Sequence, residues 1–374
     1  RLPYWPMLAS GDFDMMTPLF RMYQEMLPLA EHRTKTWFKH GGAFFGETVY
    51  FWGMYNGDNY GWKRDGNLPI DKLMNPYIRR EYTASPELMA MMLDYFAYKG
   101  DEKFLRETLL PMSDSLLEFW DKHYKTDENG QMKMYPAQAL ETLQDAENPT
   151  PDVAGLQWVL GRLLALPEKQ VGAERRELWI RLSKKVPPLP MGETDGKKYV
   201  LGAGKIHGGH GNSENPELYA VFPFRLYGIG KNDLDIGRLT FARRTTKGNS
   251  GWQQDDTQAA FLGLTETAAD YVIGRAKNKH SDSRFPAFWG PNFDWIPDQD
   301  HGGNLMMALE TMLIQADSGK ILLLPAWPKN WNVDFKLHAP DQTVIEGVFK
   351  NGKIVKIKVT PESRGKDVIP MESK

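Results

Sequence analysis

The spacing of apolar and polar positions predicts a chain built mainly of helices, recurring in pairs over residues 10–316, with a small β region behind them. Ser85-Pro86-Glu87 reads as a helix start. It offers a capping hydroxyl, a proline whose missing N–H is harmless in the first turn, and an acid favoured by the helix dipole. Leu88, Met91, Met92, Tyr95 and Phe96 follow at helical spacing, and Gly100 closes the pattern. Asp101 restarts a helix through Phe104, Leu105 and Leu109. Pro111 should break or kink it, with Ser113 capping a continuation through Leu116, Leu117 and Trp120. Asp152 reads as the cap of a run carrying Leu156, Val159, Leu160 and Leu163. Further helices are predicted over 12–26, 174–184, 232–244, 256–272 and 304–315, with a short one opening at Pro216. Beyond Gly319 the texture changes. Val344, Glu346 and Val348 alternate with Ile345, Gly347 and Phe349, Asn351-Gly352 is a two-residue hairpin turn, and Ile354, Val355, Ile357 and Val359 follow. The expected organisation is a helical domain over 1–319 and a small C-terminal β domain with its tail over 320–374.

Between the helices lie long segments rich in Gly, aromatic and acidic residues: 38–66, 135–151, 206–215 and 285–303. Loops of this length inside a compact domain are usually functional. Composition narrows what they do. The 374 residues are 41% hydrophobic and 25% charged, which argues against long disorder. The net charge of -2 argues against nucleic acid, whose binding runs on clustered positive charge. With no cysteine, disulfides, thiolate zinc sites and cysteine nucleophiles are excluded, and an oxidising compartment fits. No apolar run of about 18 residues predicts a membrane span. The first six residues do not read as a signal peptide and lack an initiator Met, so the chain is expected to be a mature or excised piece. The 12 Trp and 15 Tyr fit a hydroxylated partner, because rings stack on the C–H faces of sugars. They serve equally as core.

No P-loop, dinucleotide fingerprint, HExxH or GxSxG is present. His207, His210 and His301 lack the fixed spacing of metal ligands and read as hydrogen-bonding loop histidines, so no metal or organic cofactor is expected. Carboxylates are the better lead. Glu141 follows a turn-rich connector among Tyr and Leu residues, a setting that disfavours ionisation and suits a general acid. Asp298 and Asp300 precede the helix near Asn304, where the dipole favours the anion and suits a base. One protonated and one ionised carboxyl across a scissile bond is what glycoside hydrolysis needs. The competing reading makes Glu141 an ordinary loop acid and Asp300 a helix cap.

Four segments add a resemblance. Pro3-Tyr-Trp-Pro6, Pro136-Ala-Gln-Ala-Leu-Glu-Thr142, Glu217-Leu-Tyr-Ala-Val-Phe-Pro223 and Asp300-His-Gly-Gly, running on to Met312-Leu-Ile-Gln315 and Leu323-Leu-Pro-Ala326, resemble in order the catalytic domain of glycoside hydrolase family 95. That is the α-L-fucosidase and α-L-galactosidase family. The resemblance implies an (α/α)6 toroid-type helical barrel, Glu141 as general acid and Asp300 on the side of the base. It departs from the family where Glu217 stands in place of a His. The two Asn residues that share the attacking water would precede Arg1, and the first barrel helix or two with them. A periplasmic or secreted bacterial location follows from the resemblance and the missing cysteines.

The expected function is therefore an inverting, exo-acting glycoside hydrolase that removes a terminal fucose- or galactose-like sugar. Its partner is a carbohydrate substrate. A glycoside phosphorylase and a non-catalytic sugar-binding protein are the alternatives. Trp52, Trp62, Trp252, Trp289 and Trp295 are candidates for stacking on sugar. Arg79, Arg80 and Glu81 are candidates for hydroxyl contacts or for an ion-pair brace. Gln253 and Gln254 are candidates to hold hydroxyls, with Asp256 capping the next helix; Glu217, Asp298 and His301 complete the set.

Overall fold

The computed structural model describes residues 1–53, 55, 64–69, 72–248, 250–278 and 299–371. Helices dominate up to residue 313: α1 Phe13–Phe38, α2 Ala84–Lys99, α3 Leu110–His123, α4 Thr150–Ala165, α5 Ala173–Lys185, α6 Leu234–Arg243, α7 Asp255–Phe261, α8 Thr265–Lys277 and α9 Asp300–Leu313. Strands β1 Ala137–Ala139, β2 Leu143–Pro149 and β5 Ala203–Ile206 form one antiparallel sheet, and β3 Met191–Thr194 pairs with β4 Lys197–Val200. Behind α9 come β6 Ile314–Asp317, β7 Lys320–Leu323, β8 Val333–Ala339, β9 Thr343–Lys350, β10 Lys353–Thr360 and β11 Val368–Pro370. They make two sheets, ordered β11-β7-β6 and β10-β9-β8. The protein is thus mainly α with a C-terminal β region.

The helices form much as their sequence asks. Asp101 caps its turn by accepting from the backbone N–H of Lys103 and Phe104. Gly100 closes α2 in the left-handed conformation. Pro111 neither breaks nor ends its helix. A π-turn over Leu105–Leu109 widens the backbone just ahead of it, the Leu110 N–H bonds to the Leu105 carbonyl, and the helix runs on. α1 continues past Pro28 to Phe38, because Met26, Ala30, Arg33 and Thr34 all bury against the core. The single helix expected over 256–272 is two, α7 and α8, parted at Gly263, whose φ of 67° is left-handed.

Three expected caps serve elsewhere. Ser85 lies within the first turn of α2, and its Oγ accepts from the Phe45 N–H at 3.2 Å. The Ser113 hydroxyl donates back to the Leu109 carbonyl at 2.8 Å. Asp152 sits inside α4, fully buried, and accepts from the Thr83 hydroxyl at 2.7 Å.

Two apolar cores organise the chain. One gathers α1 to α5 around residues such as Phe20, Leu88, Leu116, Trp120, Leu156 and Trp179. The other joins α7 and α9 to the C-terminal strands through Ala259, Met312, Ile321, Leu323, Ile345 and Phe349. The β region therefore shares a core with the last helices. Close approaches fix the layout. Gly155 of α4 leaves room for Pro86 of α2 and for Phe224, and Gly303 of α9 lies against Pro3. That second contact brings the first residues of the chain to the N-terminal end of α9.

A candidate active site in an acidic cavity

The β1–β2 hairpin carries Glu141 at its tip, where Leu140 takes a φ of 53°. Gln138 pins this hairpin to the segment before α2. Its amide donates to the carbonyls of Tyr77 and Leu140, and its oxygen accepts from the Arg80 N–H at 2.6 Å. The next residue in that segment is Glu81. The loop after β5 clasps the tip from the other side. The Gly211 N–H donates to the Thr142 carbonyl at 2.7 Å, the Glu141 N–H donates to Glu214 Oε2 at 3.0 Å, and the Asn212 amide donates to Glu141 Oε2 at 2.6 Å.

A second wall is the turn from Trp252 to Gln254 that leads into α7. Arg275 of α8 holds it in place. Its guanidinium donates to the Gly251 and Gln253 carbonyls at 2.9 and 2.6 Å and to Asp256 Oδ2 at 2.7 Å, with both partners of that ion pair fully buried. Asn304 of α9 donates to the same two carbonyls. Asp255, one residue before Asp256, is paired with Arg244 at 2.6 Å.

These walls enclose a cavity of about 430 Å³, within the ~300–1,000 Å³ of small-ligand sites. Glu141 and Asp300 both line it, Asp300 as the first residue of α9. Five further carboxyls line it: Glu47, Glu81, Glu87, Glu214 and Asp255. Among the described residues one guanidinium joins them, that of Arg1, and it is paired with Glu87 at 2.8 Å. Amides and rings complete the lining, among them Asn212, Tyr219, Trp252, Gln253 and Gln254.

Crowded, buried carboxyls hold protons. Burial pushes Glu214 up to about 8, helped by the charges of Glu141 and Glu47. Burial also raises Glu47 and lifts Glu81 well above the carboxylate range, with Glu47 and Glu214 adding to the effect on Glu81. Glu214 therefore keeps its proton at neutral pH. Among the described residues, three buried oxygens of lining residues, Glu81 Oε2, Gln254 Oε1 and Gln258 Oε1, have no hydrogen-bond partner. A buried polar atom left unpaired is costly.

Of the residues singled out from sequence, Glu141, Asp300, Glu81, Trp252, Gln253 and Gln254 meet in this cavity. Others do not line it. Arg79 donates to the Leu73 and Met74 carbonyls, and Arg80 pairs with Asp145, so both brace loops. Trp52 is half exposed and stacks on Tyr50 at 4.3 Å. His301 is buried with Nε2 3.1 Å from the Arg275 carbonyl oxygen. Glu217 is recessed beside Gly202, outside the lining, and burial raises it to about 7. Asp256 lies inside the first turn of α7, where its Oδ1 accepts from the Thr257 N–H at 2.9 Å while its Oδ2 is taken by Arg275. Trp62, Trp289, Trp295 and Asp298 lie outside the described residues. Sequence reasoning missed Glu47, Glu87, Asn212 and Glu214. Only their place in acidic or Gly-rich stretches hinted at them, and nothing local distinguishes them from solvent-facing acids.

The His207 ring packs on Tyr135 at 4.8 Å, and among the described residues no group of three His, Asp or Glu is placed to hold a metal ion. No described helix is long and apolar enough to cross a membrane.

In sequence comparison, no family model and no curated protein matches the chain. Comparison of folds gives a different result. A solved structure named "Putative kojibiose phosphorylase from human microbiome" superposes with a TM-score of 0.59 at 10% identity, over 90% of this chain and 52% of that one. The likeness is one of fold. The chain spans about half the length of that protein.

Buried acids also predict a pH effect. Burial raises Asp152 to about 7, Glu217 to about 7, Glu214 to about 8 and Glu310 to about 9. The folded chain keeps these protons where the unfolded chain has released them, above about pH 4–5. Their stabilisation is therefore complete in acid and is lost as pH climbs through the folded values. The melting temperature should fall from pH 5 to pH 9, and Asp152→Asn should flatten part of that slope. A melting temperature that rises over this range would contradict the account.

Proposed function

We propose that the protein is an inverting glycoside hydrolase on a helical toroid of the (α/α)6 type, related to glycoside hydrolase family 95. The observation that carries this reading is the meeting of Glu141 and Asp300 in one cavity from separate elements, a hairpin tip and a helix N-terminus. Glu141 gives a proton to the leaving glycosidic oxygen as its bond to the anomeric carbon breaks. A water on the opposite face bonds to that carbon and gives its proton to Asp300. Inversion in this manner needs the two carboxyls roughly 6.5–9.5 Å apart, with room for the water between them. The amides of Asn212, Gln253 and Gln254 offer partners to sugar hydroxyls, and Trp252 offers a ring face. A terminal fucose- or galactose-like sugar, cleaved in exo fashion from a glycan in the periplasm or outside the cell, is the substrate this reading takes.

A phosphorylase would place phosphate where the water attacks. The phosphorylase name of the fold neighbour favours that alternative. The charge of the cavity weighs against it: seven carboxyls line the site, and its described guanidinium is already paired. The test is a panel of synthetic α- and β-glycosides, including L-fucosides and L-galactosides, incubated with and without phosphate and followed by NMR. Free sugar of inverted configuration, formed at a rate indifferent to phosphate, is expected. A sugar phosphate as the product would establish the phosphorylase instead, and net retention would overturn the inverting mechanism.

A further inference from the structure

A second cavity, of about 520 Å³, opens between the helical body and the C-terminal strands. Asp300 and Glu310 stand at opposite ends of α9, ten residues or about 15 Å apart, and only Glu310 reaches this cavity. The other walls come from the C-terminal ends of α2 and α4, the β6–β7 turn and the Pro340-Asp341 turn.

Charge here is distributed quite differently. Three of its carboxylates are paired: Asp94 with Arg225 at 2.6 Å, Asp317 with Lys231 at 2.7 Å and Asp341 with Arg364 at 3.3 Å. The fourth, Glu310, is 8% exposed, and its Oε2 has no hydrogen-bond partner. Burial, with Asp12 nearby, raises Glu310 to about 9, so at neutral pH it is an uncharged acid with an O–H to donate. The Arg162 guanidinium lies over the Trp158 ring at 5.2 Å and makes no ion pair among the described residues. Arg162, Tyr98 and Glu310 all line the cavity. With its other acids paired and Glu310 neutral, Arg162 and Lys320, neither in an ion pair among the described residues, leave the cavity positively charged beside the Glu310 acid.

We propose that this second cavity binds a small organic anion of sugar size, a phosphorylated or carboxylated hexose. Its oxyanion is held between the Arg162 fork and the Glu310 acid. A guanidinium and a carboxylic O–H together donate to an anion's oxygens, whereas a neutral sugar would leave the Arg162 charge unmatched. This proposal is independent of the chemistry in the acidic cavity, which would repel the same ligand.

Calorimetric titration of the full chain with glucose 6-phosphate, glucuronate, glucose and glucosamine at neutral pH tests it. One or both anions should bind at least tenfold more tightly than glucose, and their relative affinities separate phosphate from carboxylate. Arg162→Met should weaken the anion at least tenfold. Glu310→Gln, which keeps a donor, should retain most of the binding, and Arg162→Lys, which keeps the charge without the fork, should bind more tightly than Arg162→Met and more weakly than the unaltered chain. Asp300→Asn should leave it unchanged and so locate the anion away from the acidic cavity. The ranking of ligands on the unaltered chain is decisive even if a variant fails to fold. Glucose or glucosamine binding as tightly as the anions, binding of neither anion, loss of binding in Asp300→Asn, or a folded Arg162→Met that binds normally would each overturn the proposal.

Discussion

Glu141→Gln is expected to lower kcat/KM on unactivated glycosides by about 10²–10⁴-fold, the usual contribution of a positioned general acid. The substitution keeps an amide oxygen to accept from Asn212, so the hairpin tip and sugar affinity should survive. Glycosides with a good leaving group, such as dinitrophenyl glycosides, should suffer far less, because their departing oxygen needs no proton. That contrast separates a lost proton donor from a damaged site. Unchanged turnover of every cleaved glycan would remove Glu141 from the mechanism. Glu214, on the other side of the hairpin tip, holds its proton through burial and hydrogen-bonds the Glu141 N–H, so it acts by positioning and by coupled charge.

Arg275→Met should have the largest effect on stability, about 3–5 kcal/mol by chemical denaturation, because it strands the Asp256 carboxylate with no access to water. Removing both charges, as Arg275→Met with Asp256→Leu, should recover most of that loss, since a buried ion pair is often replaceable by apolar groups of similar volume. Activity should not return with stability. The guanidinium also ties down the Gly251 and Gln253 carbonyls, and with them the wall that presents Trp252 and Gln253 to the cavity. A double variant less stable than Arg275→Met alone would show that Asp256 contributes through something other than this pair.

The legible parts of the sequence were those where one local signal had no competitor. The Asp101 cap, the Gly100 stop and the Asn351-Gly352 turn are all present in the structure, the last joining β9 to β10. The illegible parts were those where a distant partner decides. β2, Leu143–Pro149, has the composition of a loop and is a strand because β1 and β5 pair with it on both edges. Ser85 and Asp152 carry the chemistry of caps and spend it on Phe45 and Thr83. Arg79 and Trp52 have the chemistry of sugar contacts, yet one braces a loop and the other stacks on a neighbour at the surface.

The sequence by itself determined the helical body, the β texture of the last fifty residues and the two acids worth following. These follow from periodicity, capping and side-chain chemistry, which act over a few residues. Only the tertiary structure decided which carboxyls share a cavity. A carboxyl's environment is set by whatever packs around it, and Glu47, Glu81, Glu141, Glu214 and Asp300 reach the same cavity from distant parts of the chain. The raised proton affinities of Glu47, Glu81 and Glu214 arise from that shared burial and mutual repulsion, which chain order does not encode at any single position.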